Sequence, residues 1–189
     1  MKQFLIFSAL ILAIGISACD KDDDSYPYDP AVMHYDGINA NAPVLPAGKV
    51  ELAAQFKSDA MSFYAGKKID AIQFFIFEVP DSASIVIYGK GNGSNPGAEL
   101  YEQDVTDKLQ SNAWNVIVLD AQFELPSDEI WISLKMAETG NVQVLGCDAG
   151  PTISGGDWMY EDSDEEWKTF FERNTVDRIN WNIRASMTE

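Results

Sequence analysis

The sequence predicts an all-β fold: an antiparallel β-sandwich, jelly-roll-like, of about eight to ten strands. Three observations carry that expectation. Apolar and polar residues alternate at period two in short runs. Gly, Pro, Asn and Asp punctuate those runs at roughly 8–12-residue intervals. Amphipathic helical periodicity is almost absent, and no internal repeat is visible, which argues against a solenoid or propeller.

Taken in order, His34-Tyr35-Asp36-Gly37 opens the domain, and a Gly/Asn/Pro-rich loop runs to Gly48. Residues 50–56 set Val50, Leu52, Ala54 and Phe56 against Glu51, Ala53 and Gln55, the pattern of a half-buried strand. Ser58 is placed to cap a short helical turn over 59–64, ended by Gly66. Residues 68–79 read as a long strand with Ile69, Ala71 and Gln73 on one face and Asp70, Ile72 and Phe74 on the other. The run Phe74-Phe75-Ile76-Phe77 implies burial on both faces near its middle. SIVIY at 84–88 is another buried strand. The loop at 89–97, GKGNGSNPG, resembles a phosphate loop only superficially, since it lacks the G-K-[ST] ending and a following helix. Strands follow at 98–105 and 113–119, with a short edge at 123–126. Residues 129–136 alternate almost strictly, Ile130, Ile132, Leu134 and Met136 against Trp131, Ser133 and Lys135. Further strands are expected at 142–147, from Trp158 to Tyr160, from Trp167 and at 180–186. A Gly/Pro loop spans 148–157 and an acidic tip 161–166.

The first residues give an address. Lys2 supplies a positive n-region, and residues 4–16 are an apolar run too short for an ordinary membrane span. Ile16-Ser17-Ala18-Cys19 resembles the lipobox of bacterial lipoproteins, which implies cleavage before Cys19 and a lipid on that residue. The resulting organisation is a signal peptide at 1–18, an acidic tether at 19–30 and a binding domain at 31–189. Lys21-Asp22-Asp23-Asp24 resembles the export tag of surface lipoproteins in Bacteroidota, which implies the outer membrane and the cell surface. Asp20 conflicts with that, since in enteric bacteria an aspartate there holds a lipoprotein at the inner membrane. Later apolar runs are short and interrupted by charge, so the lipid is the only expected membrane contact.

The chain has 189 residues, enough for one domain with a real core after the leader. Its formal charge of -17 offers no basic stripe for phosphates, so no nucleic-acid role is expected. Two cysteines are present, and lipidation of one leaves Cys147 without an internal disulfide partner.

Several phrases resemble a jelly-roll domain of Bacteroidota cell-surface and secreted proteins, akin to the cleaved-adhesin (haemagglutinin) modules attached to gingipain-type proteases. They are YAGKKI at 64–69, IVIYG at 85–89, PGAELY at 96–101, AWN at 113–115, EIWI at 129–132, CDAGP at 147–151, GDW at 156–158 and NWNIRA at 180–185. In order they span roughly residues 34–186. The resemblance implies an adhesion or binding module without a shared catalytic site. This chain departs from it in carrying no protease or secretion-sorting domain.

Candidate chemistry is sparse. A Ser-His-Asp or Cys-His arrangement would need His34, and no G-x-S-x-G elbow is present. One His and one Cys beyond the lipidation site make a poor zinc site. Cys147 reads as a buried small hydrophobe. No metal site is assigned. Calcium is the one cofactor left open, because the acidic tip can supply several of its oxygens, although it lacks the spacing of an EF-hand. Sugar rings pack their C–H faces on flat aromatic rings. Trp114, Trp131 and Trp181 sit within strand patterns and read as packing. Trp158, Tyr160 and Trp167 flank the Gly-rich loop and the acidic tip and are the candidate ligand-binding residues.

The expected function is therefore a lipid-anchored, non-catalytic surface module that recognises an extracellular glycan, glycoprotein or protein partner. The alternative is an accessory subunit docked on an outer-membrane complex, and the third class is a glycoside hydrolase.

Overall fold

The structure is a computed structural model that describes residues 29–188, so the signal peptide, Cys19 and most of the tether lie outside the described residues. It is an antiparallel β-sandwich. The strands are β1 (Val32–His34), β2 (Gly48–Phe56), β3 (Lys68–Ile76), β4 (Ser82–Tyr88), β5 (Glu99–Asp104), β6 (Ala113–Glu124), β7 (Ile130–Glu138), β8 (Trp158–Glu161), β9 (Glu166–Thr169) and β10 (Ile183–Thr188). Two short α-helices, α1 (Ser58–Met61) and α2 (Phe170–Asn174), and two 3-10 turns at Ser62–Tyr64 and Thr106–Lys108 complete it among the described residues. One sheet has the order β1-β10-β3-β6, the other β5-β4-β7-β2-β8-β9. Without the β8–β9 hairpin, this is the strand order of a jelly roll, with successive strands crossing between the sheets except at the β4–β5 hairpin. The hairpin extends the second sheet beside β2.

Alternation builds the core. Leu52 and Ala54 on β2, Ile85 and Ile87 on β4, and Ile132 and Leu134 on β7 face Ile72 and Phe74 on β3 and Ile183 and Ala185 on β10. Each large side chain so buried stabilises the fold by about 1.5–3 kcal/mol relative to exposure. Tyr35 stacks on Phe56 at 4.8 Å between ring centres, tying the opening segment to β2. Cys147 is buried, and burial pushes its thiol up to about 12. It is therefore protonated at neutral pH and packs as a small hydrophobe.

Several elements differ from expectation. β3 carries a register irregularity between Ile69 and Ala71, so Ile69 joins Ile72, Phe74 and Ile76 in the core and the simple alternation fails there. Residues 123–126 are not a separate edge, because β6 continues to Glu124 through that irregularity. Residues 142–147 form no strand. They make isolated bridges to Leu45, Ile76, Asn41 and Trp181, because no single partner strand runs alongside them. Ser58 does not cap α1. Lys57 occupies the cap, and Ser58 Oγ donates to Asp128 Oδ1 at 3.1 Å instead. Thr169 and Glu172 form a capping box at the start of α2, a helix hidden in the sequence by its five-residue length. Among the described residues, no helix is long and apolar enough to cross a membrane.

Candidate ligand groove

The outer face of the six-stranded sheet carries one cross-strand row. The register sets Trp167 on β9 opposite Tyr160 on β8, Tyr160 opposite Glu51 on β2, and Glu51 opposite Lys135 on β7. Lys135 in turn faces Ser84 on β4, and Ser84 faces Asp104 on β5. All six residues line a single cavity of about 520 Å³. Five interstrand steps give the row a length of about 24 Å. The groove therefore runs across the strands, aromatic at one end and acidic at the other. Pro96, from the Gly-rich loop between β4 and β5, lines it as well. That loop closes so tightly that a Cβ on Gly97 would lie 2.2 Å from the carbonyl oxygen of Lys90. Turn closure accounts for the glycines at 91 and 97, where a Cβ would collide with the loop's own backbone.

Glu51 is the unusual member of the row. It points away from the core yet is only 7% exposed. Its Oε1 accepts hydrogen bonds from Tyr88 Oη at 2.8 Å and from Ser133 Oγ. Burial pushes the carboxyl above its ordinary range, and the bonds from Ser133 and Tyr88 and the nearby Lys135 oppose that rise only in part. Lys135 Nζ pairs with Glu102 at 3.2 Å. At the far end, hydrogen bonds from the Thr106 backbone and hydroxyl hold Asp104 below the usual carboxylate range, so it is ionised at neutral pH.

The three candidate aromatics come together. Tyr160 and Trp167 lie 5.7 Å apart between ring centres and both line the groove. Trp158 does not line it. It packs at 5.0 Å on Trp131, which also meets Trp167 at 5.5 Å, and its Nε1 donates to Gln55 Oε1 at 3.0 Å. Trp158 and Trp167 thus both pack over Trp131, and Trp158 stands beside the groove and not in it. Trp131 and Trp181 are fully buried. Trp114 lies beneath the Arg184 guanidinium at 4.1 Å and edge-on to Phe75. The residues that sequence reasoning missed are Glu51, Tyr88, Ser133 and Lys135. Their one local signal is that β2 sets Glu51 and Gln55 around Ala53, a polar face interrupted by a small residue.

The acidic tip is knitted to two cations. Arg173 pairs with Glu161 and Asp164, and Lys168 with Asp164 and Glu166. Hydrogen bonds from Arg173 and Lys168 hold Asp164 well below the usual carboxylate range. Among the described residues, no group of three or more His, Cys, Asp or Glu is arranged to hold a metal. His34 Nδ1 lies 3.2 Å from Asp36 Oδ1, at the edge of the polar cluster that Asp36 forms with Asn182 and Arg184.

Asp157, which precedes β8, gives a pH-dependent prediction. It is 2% exposed, and burial pushes its carboxyl up to about 6, opposed by the Phe171 N–H donating to Oδ2 at 3.3 Å. The folded state therefore holds this proton more tightly than the unfolded chain. Its contribution is full below the ordinary pKa and is lost as pH rises from about 4 through about 6, by at most about 3 kcal/mol. Asp157→Asn keeps an acceptor for Phe171 and cannot ionise. Urea denaturation of the variant across that window is expected to show a flatter stability profile than the parent. Identical profiles would refute the assignment.

No family model and no curated protein matches the chain. Solved structures do. The clostridial cysteine protease Cwp84 after propeptide cleavage superposes with a TM-score of 0.58 at 13% identity, covering 85% of this chain and 41% of that one. A structure of the cysteine protease and lectin-like domains of Cwp84, a surface layer associated protein of Clostridium difficile, gives 0.54 at 13% identity, covering 76% and 33%. The chain spans less than half the length of either, and at this identity the likeness is one of fold.

Proposed function

We propose that this domain is a cell-surface binding module that takes a glycan chain in the cross-strand groove. The observation that carries the reading is the single row in which Trp167 and Tyr160 present rings beside the buried, hydrogen-bonded Glu51. Aromatic rings offer flat faces to sugar C–H groups, and the polar members of the row can fix hydroxyls. The lectin-like domain of the structural neighbour and the adhesin-like phrases support the same class, and the lipobox at Cys19 supports an outer-membrane, surface-anchored address.

The test is a tryptophan-fluorescence titration of the full chain with soluble polysaccharides. A saturable shift is expected. Trp167→Ala and Tyr160→Ala should each weaken binding about tenfold or more, equivalent to about 1.4 kcal/mol or more, with the fold intact. No shift with any glycan would sink the reading.

Docking on a membrane complex is the second reading. Val116 and Val118, 58% and 69% exposed on the outer face of β6, favour it. Stable co-purification with a membrane protein would support it. Hydrolysis is the weaker third. Asp104 sits three strands from Glu51, about 14 Å by strand spacing, beyond the roughly 5–9.5 Å that a glycosidase pair uses. Asp162 also lines the groove, its N–H donating to the Lys49 carbonyl two residues before Glu51, and turnover abolished by Glu51→Gln or Asp162→Asn alone would establish an enzyme.

A further inference from the structure

Glu51 is built as a carboxylate with one oxygen committed and one open. Oε1 is taken by Tyr88 and Ser133. The side-chain hydrogen bonds that reach Glu51 from the described residues both fall on Oε1 and none on Oε2, and the residue lines the groove. No Lys or Arg nitrogen among the described residues lies within ion-pair distance of it, since Lys135, its cross-strand neighbour, is engaged by Glu102. A carboxylate only 7% exposed and without a salt bridge among the described residues is partly desolvated, and a cation brought by a ligand to its open oxygen would offset part of that cost. The surroundings point the same way. Glu51, Asp104 and Asp162 line the groove against only Lys49 and Lys135. The rings of Tyr160 and Tyr88 flank Glu51, and aromatic faces attract cations.

Building on the glycan reading above, we propose that the groove selects amino sugars: a 2-amino-2-deoxyhexose unit places its protonated amine on Glu51 Oε2 while its ring packs on Tyr160 or Trp167. The ligand's amine, and not its general shape, is then what Glu51 reads.

The experiment compares three oligosaccharides of equal length, the β-1,4-linked oligomers of glucosamine, N-acetylglucosamine and glucose, titrated into the full chain. Titrations at about pH 6 and again at about pH 7 vary protonation of the amine against ionisation of the Glu51 carboxyl, which burial pushes above its ordinary range, and about 0.3 M salt screens attraction to the chain's overall negative charge. The parent is expected to bind the glucosamine oligomer at least about tenfold more tightly than either neutral oligomer, a difference of about 1.4 kcal/mol. In Glu51→Gln, whose amide oxygen can still accept from Tyr88 and Ser133, that preference is expected to vanish while the thermal unfolding transition is retained. Two results would overturn the amine proposal and leave the groove intact: equal affinities for all three oligomers with Trp167→Ala abolishing them, or a preference that persists in Glu51→Gln. Binding of none would overturn this proposal and the glycan reading together.

Discussion

Replacing Asp36 with alanine is expected to destabilise the domain by about 3–5 kcal/mol, the cost of leaving a largely buried charge without its partner. Asp36 is 2% exposed. Arg184 Nε donates to both of its oxygens at 3.0 Å, and Arg184 Nη2 donates to Oδ2 at 2.8 Å. Asn182 Nδ2 donates to Oδ2 at 2.7 Å. These bonds fasten the segment after β1 to the approach and first residues of β10, so the opening and closing stretches of the domain are locked together. In Asp36→Ala the guanidinium stays pinned over Trp114 and by the Gly37 carbonyl, with its ionic partner gone. A fall in Tm of roughly 6–20 °C should follow for a domain of this size. The mechanism has its own check. Asp36→Ala combined with Arg184→Met removes the orphaned charge, and should lose less stability than Asp36→Ala alone. A double variant that loses the full sum would mean the pair contributes through packing and not through charge.

The NWNIRA phrase that contains Asn182 and Arg184 was visible in the sequence, but its partner was not. Asp36 lies 146 and 148 residues away from those donors, and nothing local marks it as buried. The same contrast holds throughout. β7 could be read directly, because Ile130, Ile132, Leu134 and Met136 all face one core and no irregularity interrupts the strand. β3 could not, because an irregularity beside Ile69 shifts its parity, and irregularities arise from the partner strand. β2 was read as half-buried, yet Glu51, Ala53 and Gln55 are buried on the outer face. Aromatic and polar side chains from β4, β7 and β8 close over them, and sequence alternation reports only which residues share a face.

The candidate site divides along the same line. Its aromatic end was legible because Trp158, Tyr160 and Trp167 flank two conspicuous loops close together in the chain. Its polar end was not, because Glu51, Tyr88, Ser133 and Lys135 are unremarkable residues on three strands that only long-range register sets side by side. Nor did alternation distinguish Trp158, which packs beside the groove, from Trp167, which faces it. Trp158 and Trp167 lie in one hairpin on the same face, and the neighbour beneath them comes from β7.

That neighbour, Trp131, carries the second large effect. It lies on the outer face of its strand yet is 0% exposed. Trp158 and Trp167 cover it, and its Nε1 donates to Glu129 Oε1 at 2.9 Å. Trp131→Ala should cost about 3–5 kcal/mol through lost burial and the cavity left behind. It should also weaken ligand binding, although Trp131 does not line the groove, because Trp167 loses the ring that holds it edge-on. Trp131 is therefore a positioning residue. Trp131→Phe refills most of the volume and restores an aromatic contact while losing the bond to Glu129, so it should cost less stability and recover most of the affinity. Chemical denaturation and the oligosaccharide titration, run on both variants, separate the two roles. If Trp131→Ala is destabilised but binds as tightly as the parent wherever it remains folded, the aromatic end of the groove is set by the β8–β9 hairpin alone. If Trp131→Phe restores affinity ahead of stability, then the orientation of Trp167, more than the rigidity of the sheet, governs what the groove can hold.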